Sequence, residues 1–441
     1  MPNFSADHSS GSHRQRSRDG SGQPHGHRTR HPLLLKAVDL GLLLAIFAVP
    51  MAFGGRQSIG QFLLISSAIW TALCWAVYQM TRKEPDWVRS RVEPVLLAVL
   101  AVGTLQIVPL PASILSSLSP AIADTLPVWF SADGPGLVEG PWPFLSMSVG
   151  ESRAGLAIGI SYLLLFIVTV QRIRSNEDAF RILRWIALAG AVMAVFGLVQ
   201  YLFSNGKFFW VFEHPQGNTA DRPLGGFLNK NHFSHYLALC GCPLVWWCFT
   251  MLDRGKNDTA SFGRGAGRSG HAELVTAGLV FSLVAVGAAV LLARSRGGIL
   301  ATTAALTVMM FTVYWKSQIS GRQLATMSGI GVVALFVVSM FGEQDLTRVV
   351  QRLDYWSDNG RTEIWDANLK IASDFPITGT GIGSHRYIYP KYLDQPFSSG
   401  EYSHAESSYL QILSETGLLG FGVMIVVLLV CLFWCCQGVR L

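Results

Sequence analysis

The sequence predicts an all-α protein of the polytopic membrane class, a bundle of about ten transmembrane helices with one large external loop that contains an amphipathic helix. Half of the 441 residues are apolar and only 14% are charged, whereas a soluble chain carries about 25% charged residues. The apolar residues gather in runs of about 20, the length that a helix needs to cross a hydrocarbon core. The runs lack the alternation of barrel strands, so helices must satisfy the backbone in lipid.

The predicted helices follow a polar N-terminal tail. Residues 1–36 are rich in Ser, Gly, His and Arg, which is typical of a disordered segment. The first apolar run is long for a signal-peptide core and lacks a clear cleavage site, so we expect it to be retained as a helix. The ten runs lie near 37–54, 59–80, 94–112, 154–171, 183–203, 233–252, 273–293, 298–315, 323–342 and 409–436.

The distribution of Lys and Arg predicts which side each loop faces. Cytoplasmic loops of membrane proteins carry an excess of both residues. If the tail is inside, 21 of the 34 Lys and Arg residues fall in inner segments, and every short basic loop is among these. The long loop 343–408 then faces outward.

The cations that face outward against this trend gather late in the chain. In "LLARSRGGIL", residues 291–300, Arg294 and Arg296 join two apolar runs with no acid nearby. An arginine at the centre of a membrane helix costs roughly 2.5–3.5 kcal/mol, and less where it reaches the headgroups. Snorkelling explains any single arginine, but the whole set favours an external anion site. Its other members are Arg222, Lys230, Arg348, Arg352, Arg361, Lys370, Arg386 and Lys391.

A polar block precedes the sixth run on the outer side. The stretch "GGFLNKNHFSHYLAL" spans residues 225–239 and places Asn229, Lys230, Asn231 and His232 at the membrane surface. Either asparagine could cap the helix, and free N–H groups at its start would favour an anion. Capping explains the asparagines but not the neighbouring lysine and histidine.

An amphipathic helix is predicted within the long loop. In "NGRTEIWDANLKIASDFP", residues 359–376, apolar positions recur at helical spacing and the acids and Lys370 face the other way. Asn359-Gly360 marks the start and Pro376 the stop. Arg361 lies in the first turn, where a surface salt bridge is the alternative to an anion contact. The predicted buried face consists of Ile364, Trp365, Asn368, Leu369, Ile371, Ala372 and Phe375.

The end of the long loop carries a histidine close to the last run. "TGTGIGSHRYIYP", residues 378–390, is rich in glycine but lacks the Gly-Lys-Ser/Thr of a P-loop, so we interpret it as a turn. In "EYSHAESSYLQILSETGLLG", residues 401–420, His404 stands just before the helix with Glu406 two residues on. Histidine is the usual proton acceptor near neutral pH, although packing or capping also explains one at a helix start.

Together these stretches resemble the O-antigen ligase / Wzy polymerase family. "GGFLNKNHFSHY", "ARSRGG", "GRTEIW…FPITGTGIGSHRY" and "SHAESSYLQILSETGLLG" occur in that order and on one side of the membrane. The resemblance divides the chain into a basic cytoplasmic tail (1–36), N-terminal transmembrane helices (37–189), a ligase-like core domain (190–425) and the end of the last helix with a short tail (426–441). The family usually has "HNxxL" at the last motif, where this chain has "HAESSYL".

The resemblance implies a metal-independent glycosyltransferase on the outer, periplasmic face of a bacterial inner membrane. It implies that Arg296 and Arg361 hold the pyrophosphate of an undecaprenyl-linked glycan donor, and that His404 activates the hydroxyl of a lipid or glycan acceptor. A two-pronged guanidinium suits a leaving phosphate. The expected substrate-binding residues are Arg294, Asn229, Lys230, Asn231, His232, Glu406 and Arg386.

Three functions remain open. A ligase would pass the glycan to lipid A–core, a polymerase would pass it to another lipid-linked repeat, and a transporter or flippase would move the lipid-linked sugar. We favour a ligase because the large loop follows the ninth run, which resembles the ligase-like branch of that family. A transporter would carry its cations near the midplane in repeated, broken helices. The outward side offers no Asp-x-Asp motif for a metal, and we expect no cofactor and no nucleic-acid partner.

Overall fold

The computed structural model describes residues 32–90, 92–125, 142–213, 218–261, 270–315, 360–394 and 402–440. The protein is all-helical, as predicted. Short 3-10 turns at Phe53–Gly55 and Tyr389–Tyr392 accompany the α-helices. The α-helices are α1 Pro32–Met51, α2 Ser58–Met80, α3 Glu93–Ile107, α4 Ala112–Leu118, α5 Pro120–Thr125, α6 Val149–Arg172, α7 Asn176–Leu202, α8 Lys230–Ser261, α9 Gly270–Leu292, α10 Arg296–Trp315, α11 Gly360–Asp374, α12 His385–Ile388 and α13 Ser408–Arg440.

The chain is a multi-pass membrane protein. Within the described residues, seven helices are long and apolar enough to cross a bilayer, namely α1, α2, α6, α7, α9, α10 and α13. The count rises to eight if α3 and α4, which meet at a bend of 120°, form one broken span. The predicted count of about ten is therefore approximate. The run 94–112 is bent, α8 is not among the candidate spans, and the run 323–342 lies outside the described residues.

Four helices surround the main core. Buried side chains of α7, α8, α9 and α10 form one cluster, with Met193, Phe233 and Ala293 near its middle. Glycine allows the closest approaches, since a Cβ at Gly190 would lie 2.2 Å from the Cβ of Cys240. In contrast, α13 exposes its whole apolar span, as expected of a surface that faces lipid.

A second cluster of buried residues is separate from the main core. It joins α4, α5 and residues 142–147 to α11 and to Tyr389. The amphipathic helix was predicted correctly, but its buried face was placed partly wrong. Trp365 and Leu369 are exposed, whereas Ala367 is buried beside Ile364 and Ile371. The buried positions follow the spacing of one helical face. Trp365 and Leu369 lie beside that face, and the prediction wrongly included them in it.

The glycine-rich segment after α11 forms turns, as the sequence indicates. Gly379, Gly381 and Gly383 have positive φ angles, and α13 is interrupted at Gly417, which has a φ of 61°. A Cβ at Gly417 would lie 2.4 Å from the carbonyl carbon of Ile377, so only glycine permits this approach. The segment is thereby held against the start of the last helix.

At one end of the bundle, helices α1, α6 and α7 are joined by ion pairs. Arg172, at the end of α6, makes a two-pronged contact with Asp39 of α1, at 2.8 and 2.9 Å, and a third contact with Asp178 at 3.1 Å. Arg181 also pairs with Asp178, at 2.9 Å. Because α7 begins at Asn176, Arg181 and Arg184 lie in its first turns rather than in a loop before it.

Candidate functional site

The polar block before α8 forms the first wall of the candidate site. Asn229 caps the helix, because its Oδ1 accepts a hydrogen bond of 2.8 Å from the backbone N–H of Asn231. This confirms one of the two predicted caps. The side chains of Asn229, Lys230 and Asn231 are half-buried, whereas His232 is exposed. The block therefore presents polar groups at the helix start.

The turn between α9 and α10 forms the second wall. Ser295 is buried and caps α10, since its Oγ accepts from the N–H of Gly298 at 3.0 Å. The same Oγ donates to Oδ1 of Asn231 at 2.8 Å, and Nζ of Lys230 donates to the carbonyl of Arg294 at 3.3 Å. These contacts fix the turn against the start of α8.

The glycine pair after Arg296 allows the start of α10 to pack closely against α8. A Cβ at Gly298 would lie 2.1 Å from the Cβ of Ser234 in α8. A larger residue at 298 would push α10 away from α8. Arg294 adopts a left-handed φ of 52°, a conformation that a non-glycine residue rarely holds. The turn is thus strained and tightly packed, and it carries two arginines at its surface.

Arg294 and Arg296 are exposed, and in the described part of the chain no salt bridge engages either guanidinium. Each is adjacent to the buried Ser295. Arg296 is the first residue of α10, where free backbone N–H groups and the helix dipole favour negative charge. Among the described residues, the turn therefore offers positive charge that no ion pair neutralises.

The segment 402–407 forms the third wall and carries His404. Ala405 is fully buried, and its N–H donates to Oε1 of Gln411 at 3.4 Å, while the N–H of Tyr402 donates to the hydroxyl of Tyr389 at 2.8 Å. Glu406 has a strained φ of 52°. Anchors on both sides of His404 therefore hold the segment in place.

His404 is exposed, yet its surroundings favour the neutral ring. Partial desolvation is the largest cause that lowers the pKa of His404, and the charge of Arg56 is the next. The nearby His232 also lowers this pKa, whereas the backbone of Ser403 and the Glu406 carboxylate raise it. A neutral imidazole can accept a proton, so the environment suits the predicted role of a base.

A buried polar network lies behind His404. Oδ1 of Asn368, in α11, lies 3.2 Å from Nδ1 of His385 and accepts from Oγ of Ser414 at 2.7 Å. The Glu415 carboxylate accepts from the backbone N–H groups of Gly383 and His385, at 2.9 and 3.3 Å. The glycine segment, α11 and α13 are thereby joined by buried and partly buried hydrogen bonds.

The ring of His385 is neutral and stacks on Tyr389, with 4.9 Å between the ring centroids. Burial lowers the pKa of His385 to about 4, with a smaller lowering from His404 and an opposing effect of the His404 backbone. Because Oδ1 of Asn368 can only accept, Nδ1 carries the proton. Nε2 is buried without a hydrogen-bond partner among the described residues.

The structure brings most of the predicted site residues to one end of the bundle. Asn231 and Lys230 contact the turn that carries Arg294 and Arg296. His232 and Glu406 lie close enough to His404 to influence its charge. Arg386 is exposed on α12, next to the buried His385. Arg361 lies in the first turn of α11, and its side chain lies outside the described residues.

The sequence analysis did not identify Arg56, an N-terminal cation that contacts this site. Nη2 of Arg56, in the turn between α1 and α2, donates a hydrogen bond to Oγ of Ser403. It also missed His385 and the buried Gln106, which contacts the glycine segment. Only one feature of the sequence could have indicated Arg56: it is a lone arginine in a short loop that the charge pattern predicts to face outward.

Comparison with known proteins supports the assignment of this region. Residues 281–425 match the model of the family described as O-antigen ligase. No curated protein and no solved structure matches the chain. The matched residues include the turn with Arg294 and Arg296, the amphipathic helix α11 and His404. This part of the chain is therefore similar to proteins of the O-antigen ligase family.

Proposed function

We propose that the protein is a membrane glycosyltransferase that moves a glycan from undecaprenyl pyrophosphate to an acceptor hydroxyl. The observation that carries this proposal is the meeting, at one end of the bundle, of a histidine whose surroundings favour the neutral ring and of arginines that no salt bridge engages within the described residues. Arg294 and Arg296 lie on the turn that contacts the start of α8, and His404 lies within electrostatic reach of His232 in that same helix. Both features belong to the matched domain or its immediate contacts.

Arg296 binds the pyrophosphate of the donor in this proposal. Its guanidinium is always charged and matches phosphate oxygens with a planar pair of N–H donors. The start of α10 adds backbone N–H groups to the same site. As the glycosidic bond breaks, negative charge grows on the leaving pyrophosphate, and fixed cations stabilise that charge. Arg294, Lys230 and the predicted Arg361 extend the positive surface around it.

His404 takes the proton of the acceptor. The acceptor oxygen attacks the anomeric carbon, the bond from that carbon to the pyrophosphate oxygen breaks, and the electron pair leaves with the lipid pyrophosphate. The hydroxyl proton moves to the neutral imidazole of His404, which later returns it to water. Glu406 and His232 tune the charge of the ring, since both influence its pKa.

The arginines supply the charge that a divalent metal would otherwise supply, so we propose that transfer needs no metal. We also propose that the site faces the periplasm across the inner membrane. The ion-paired end of the bundle, with Arg172 and Asp178, would then be the cytoplasmic end.

A ligase-like transfer to lipid A–core or another surface acceptor is our preferred form of this activity. A Wzy-type polymerase would use the same donor and the same base but a second lipid-linked repeat as acceptor. The acceptor therefore distinguishes the two enzymes, and a flippase would produce no new glycosidic bond at all.

The decisive experiment uses purified protein in lipid vesicles, with a pyrophosphate-linked glycan donor and a chelator. Supplied separately with lipid A–core and with a second lipid-linked repeat, the protein should form a product with one of them, with lipid A–core expected. Product on neither acceptor would contradict the transferase. Strict dependence on an added metal would contradict the proposed charge stabilisation.

Sidedness can be tested independently by cysteine labelling in a variant without native cysteines. Gln57 and Glu84 are exposed in the turns at opposite ends of α2. We expect Gln57→Cys to react with a membrane-impermeant reagent from the periplasm, and Glu84→Cys to react only after the inner membrane is opened. The reverse pattern would place the site in the cytoplasm.

A further inference from the structure

The turn between α1 and α2 lies outside the matched domain, yet it reaches the candidate base. Nη2 of Arg56 donates to Oγ of Ser403, the residue directly before His404, across 347 positions of sequence. An exposed hydrogen bond of this kind contributes little to stability by itself. Because this hydrogen bond lies next to His404, it points to a role in positioning that residue.

The turn itself is held firmly. Phe53 packs against the rings of Phe208, Phe209 and Phe212, with centroid distances of 5.6 to 6.2 Å. Phe53 also has a left-handed φ of 53°, which a bulky residue adopts only where its surroundings impose it. The backbone that leads into Arg56 is therefore fixed by an aromatic cluster.

The same turn rests on the glycine pair that precedes the polar block of α8. A Cβ at Gly226 would lie 2.8 Å from the backbone of Met51 and Pro50, and a Cβ at Gly54 would lie 2.6 Å from the Phe227 ring. Both contacts require glycine. The start of α8, the first turn and the His404 segment therefore meet at one place.

We propose that Arg56 is a positioning residue of the transfer site, which holds the segment with His404 over the start of α8 and keeps its ring ready to accept a proton. This inference rests on the proposed role of His404 as the base. The physical reason has two parts, a hydrogen bond that fixes the neighbouring Ser403 and a positive charge beside the imidazole.

The charge acts in a definite direction. A cation beside an imidazole disfavours its protonated form, and Arg56 is the largest electrostatic influence that lowers the pKa of His404. The other groups that face this ring are His232 from α8, Glu406 from its own segment and His385 from α12. Without Arg56 the pKa of His404 rises, and protonation removes the base at a higher pH.

The test measures the protonation of His404 directly. Diethyl pyrocarbonate modifies neutral imidazole, so the pH dependence of modification, read by mass spectrometry of the peptide with His404, reports the pKa in intact protein. We expect Arg56→Gln to move the midpoint to higher pH. Arg56→Lys, which keeps the charge, and Arg153→Gln, which removes a different exposed arginine, should leave it unchanged.

The hydrogen bond is tested separately with Ser403→Ala. This variant keeps the charge of Arg56, so the midpoint should stay in place while transfer slows about 2- to 10-fold, the usual effect of one lost hydrogen bond. In Arg56→Gln, the pH below which the transfer rate falls should shift upward together with the pH midpoint of His404 modification.

The outcomes separate this inference from the proposed function. If the pH midpoint of His404 modification were the same in Arg56→Gln as in Arg153→Gln, the electrostatic role of Arg56 would be wrong. If Ser403→Ala transferred glycan at the wild-type rate, the positioning role would be wrong. If the midpoint shifts but the wild-type protein transfers no glycan, the influence of Arg56 on His404 stands and the proposed activity fails. Unchanged thermal unfolding of each variant is the control for folding.

Discussion

The two ends of the helix bundle use arginine in opposite ways. At the end that we propose is cytoplasmic, called the inner end below, Arg172 holds Asp39 with two hydrogen bonds and Asp178 with a third. At the outer end, no salt bridge within the described residues engages Arg56, Arg294 or Arg296. The side chain is the same, but at one end carboxylates neutralise it, whereas at the other end no carboxylate of the described residues forms a salt bridge with it.

This difference distinguishes arginines that stabilise the fold from arginines that can bind a ligand. A largely buried arginine with two carboxylate partners stabilises the fold, and losing either partner leaves an uncompensated charge. An exposed arginine on a strained and tightly packed turn contributes little to stability, so its conformation is maintained for another reason. The outer end is therefore where a negatively charged substrate is expected.

The largest predicted effect concerns the base at the outer end. His404→Ala should leave folding and donor binding intact and slow transfer by roughly 10²–10⁴-fold, because a general base contributes about that much. In the wild-type protein the pKa of His404 is lowered, so activity should persist below the usual histidine pKa and fall only as the ring becomes protonated. Transfer rates across pH check both statements.

His232→Ala is the comparison variant for this experiment, since His232 lies near the same ring. It should reduce transfer far less than His404→Ala. If His232→Ala abolished transfer while His404→Ala did not, the base would be His232.

The next effect distinguishes the two arginines of the α9–α10 turn. Arg296→Ala should slow transfer about 10²–10³-fold, the cost of one lost contact to charge that develops in the transition state. Arg296→Lys should restore little, because an ammonium lacks the planar fork. Arg294→Ala should matter less, because Arg294 lies in the preceding turn, whereas Arg296 begins α10 beside its free backbone N–H groups. Steady-state kinetics with the pyrophosphate-linked donor would measure all three, and the opposite ranking of the two alanine variants would reverse the assignment.

The smallest effect on transfer, and the largest on stability, is expected at the inner end. Arg172→Ala leaves Asp39 without its two-pronged partner in a largely buried place, where the side chains are only 11% and 18% exposed. We expect a loss of about 1–3 kcal/mol, seen as a lower thermal unfolding temperature in detergent. Arg174→Ala removes a more exposed pair and should cost no more than about 1 kcal/mol.

Arg296→Ala provides the matched measurement at the outer end, and it should unfold at the temperature of the wild-type protein. A destabilised Arg296→Ala together with an unaffected Arg172→Ala would remove the distinction between the two ends.

The sequence was sufficient for the features that periodicity and charge encode. Apolar runs predicted the helices, and Lys230 and Arg294, which the cation pattern placed on one side, are in contact in the structure. The face of α11 was less certain, because Trp365 is as apolar as its buried neighbours and only packing shows that it is exposed. Arg56 could not be assigned from sequence, because its contact with Ser403 spans 347 residues and follows no local pattern.

The buried amide of Gln106 sets an order for the maturation of the protein. Its Nε2 donates to the carbonyls of Thr378 and Glu415, at 2.9 and 2.8 Å, and its Oε1 accepts from the N–H of Ile382 at 3.0 Å. Chains are structured from the N-terminus during synthesis, yet these partners are made more than 270 residues later. The native hydrogen-bond partners of Gln106 therefore become available only after residue 415 has been synthesised, so the layer around His404 is completed late.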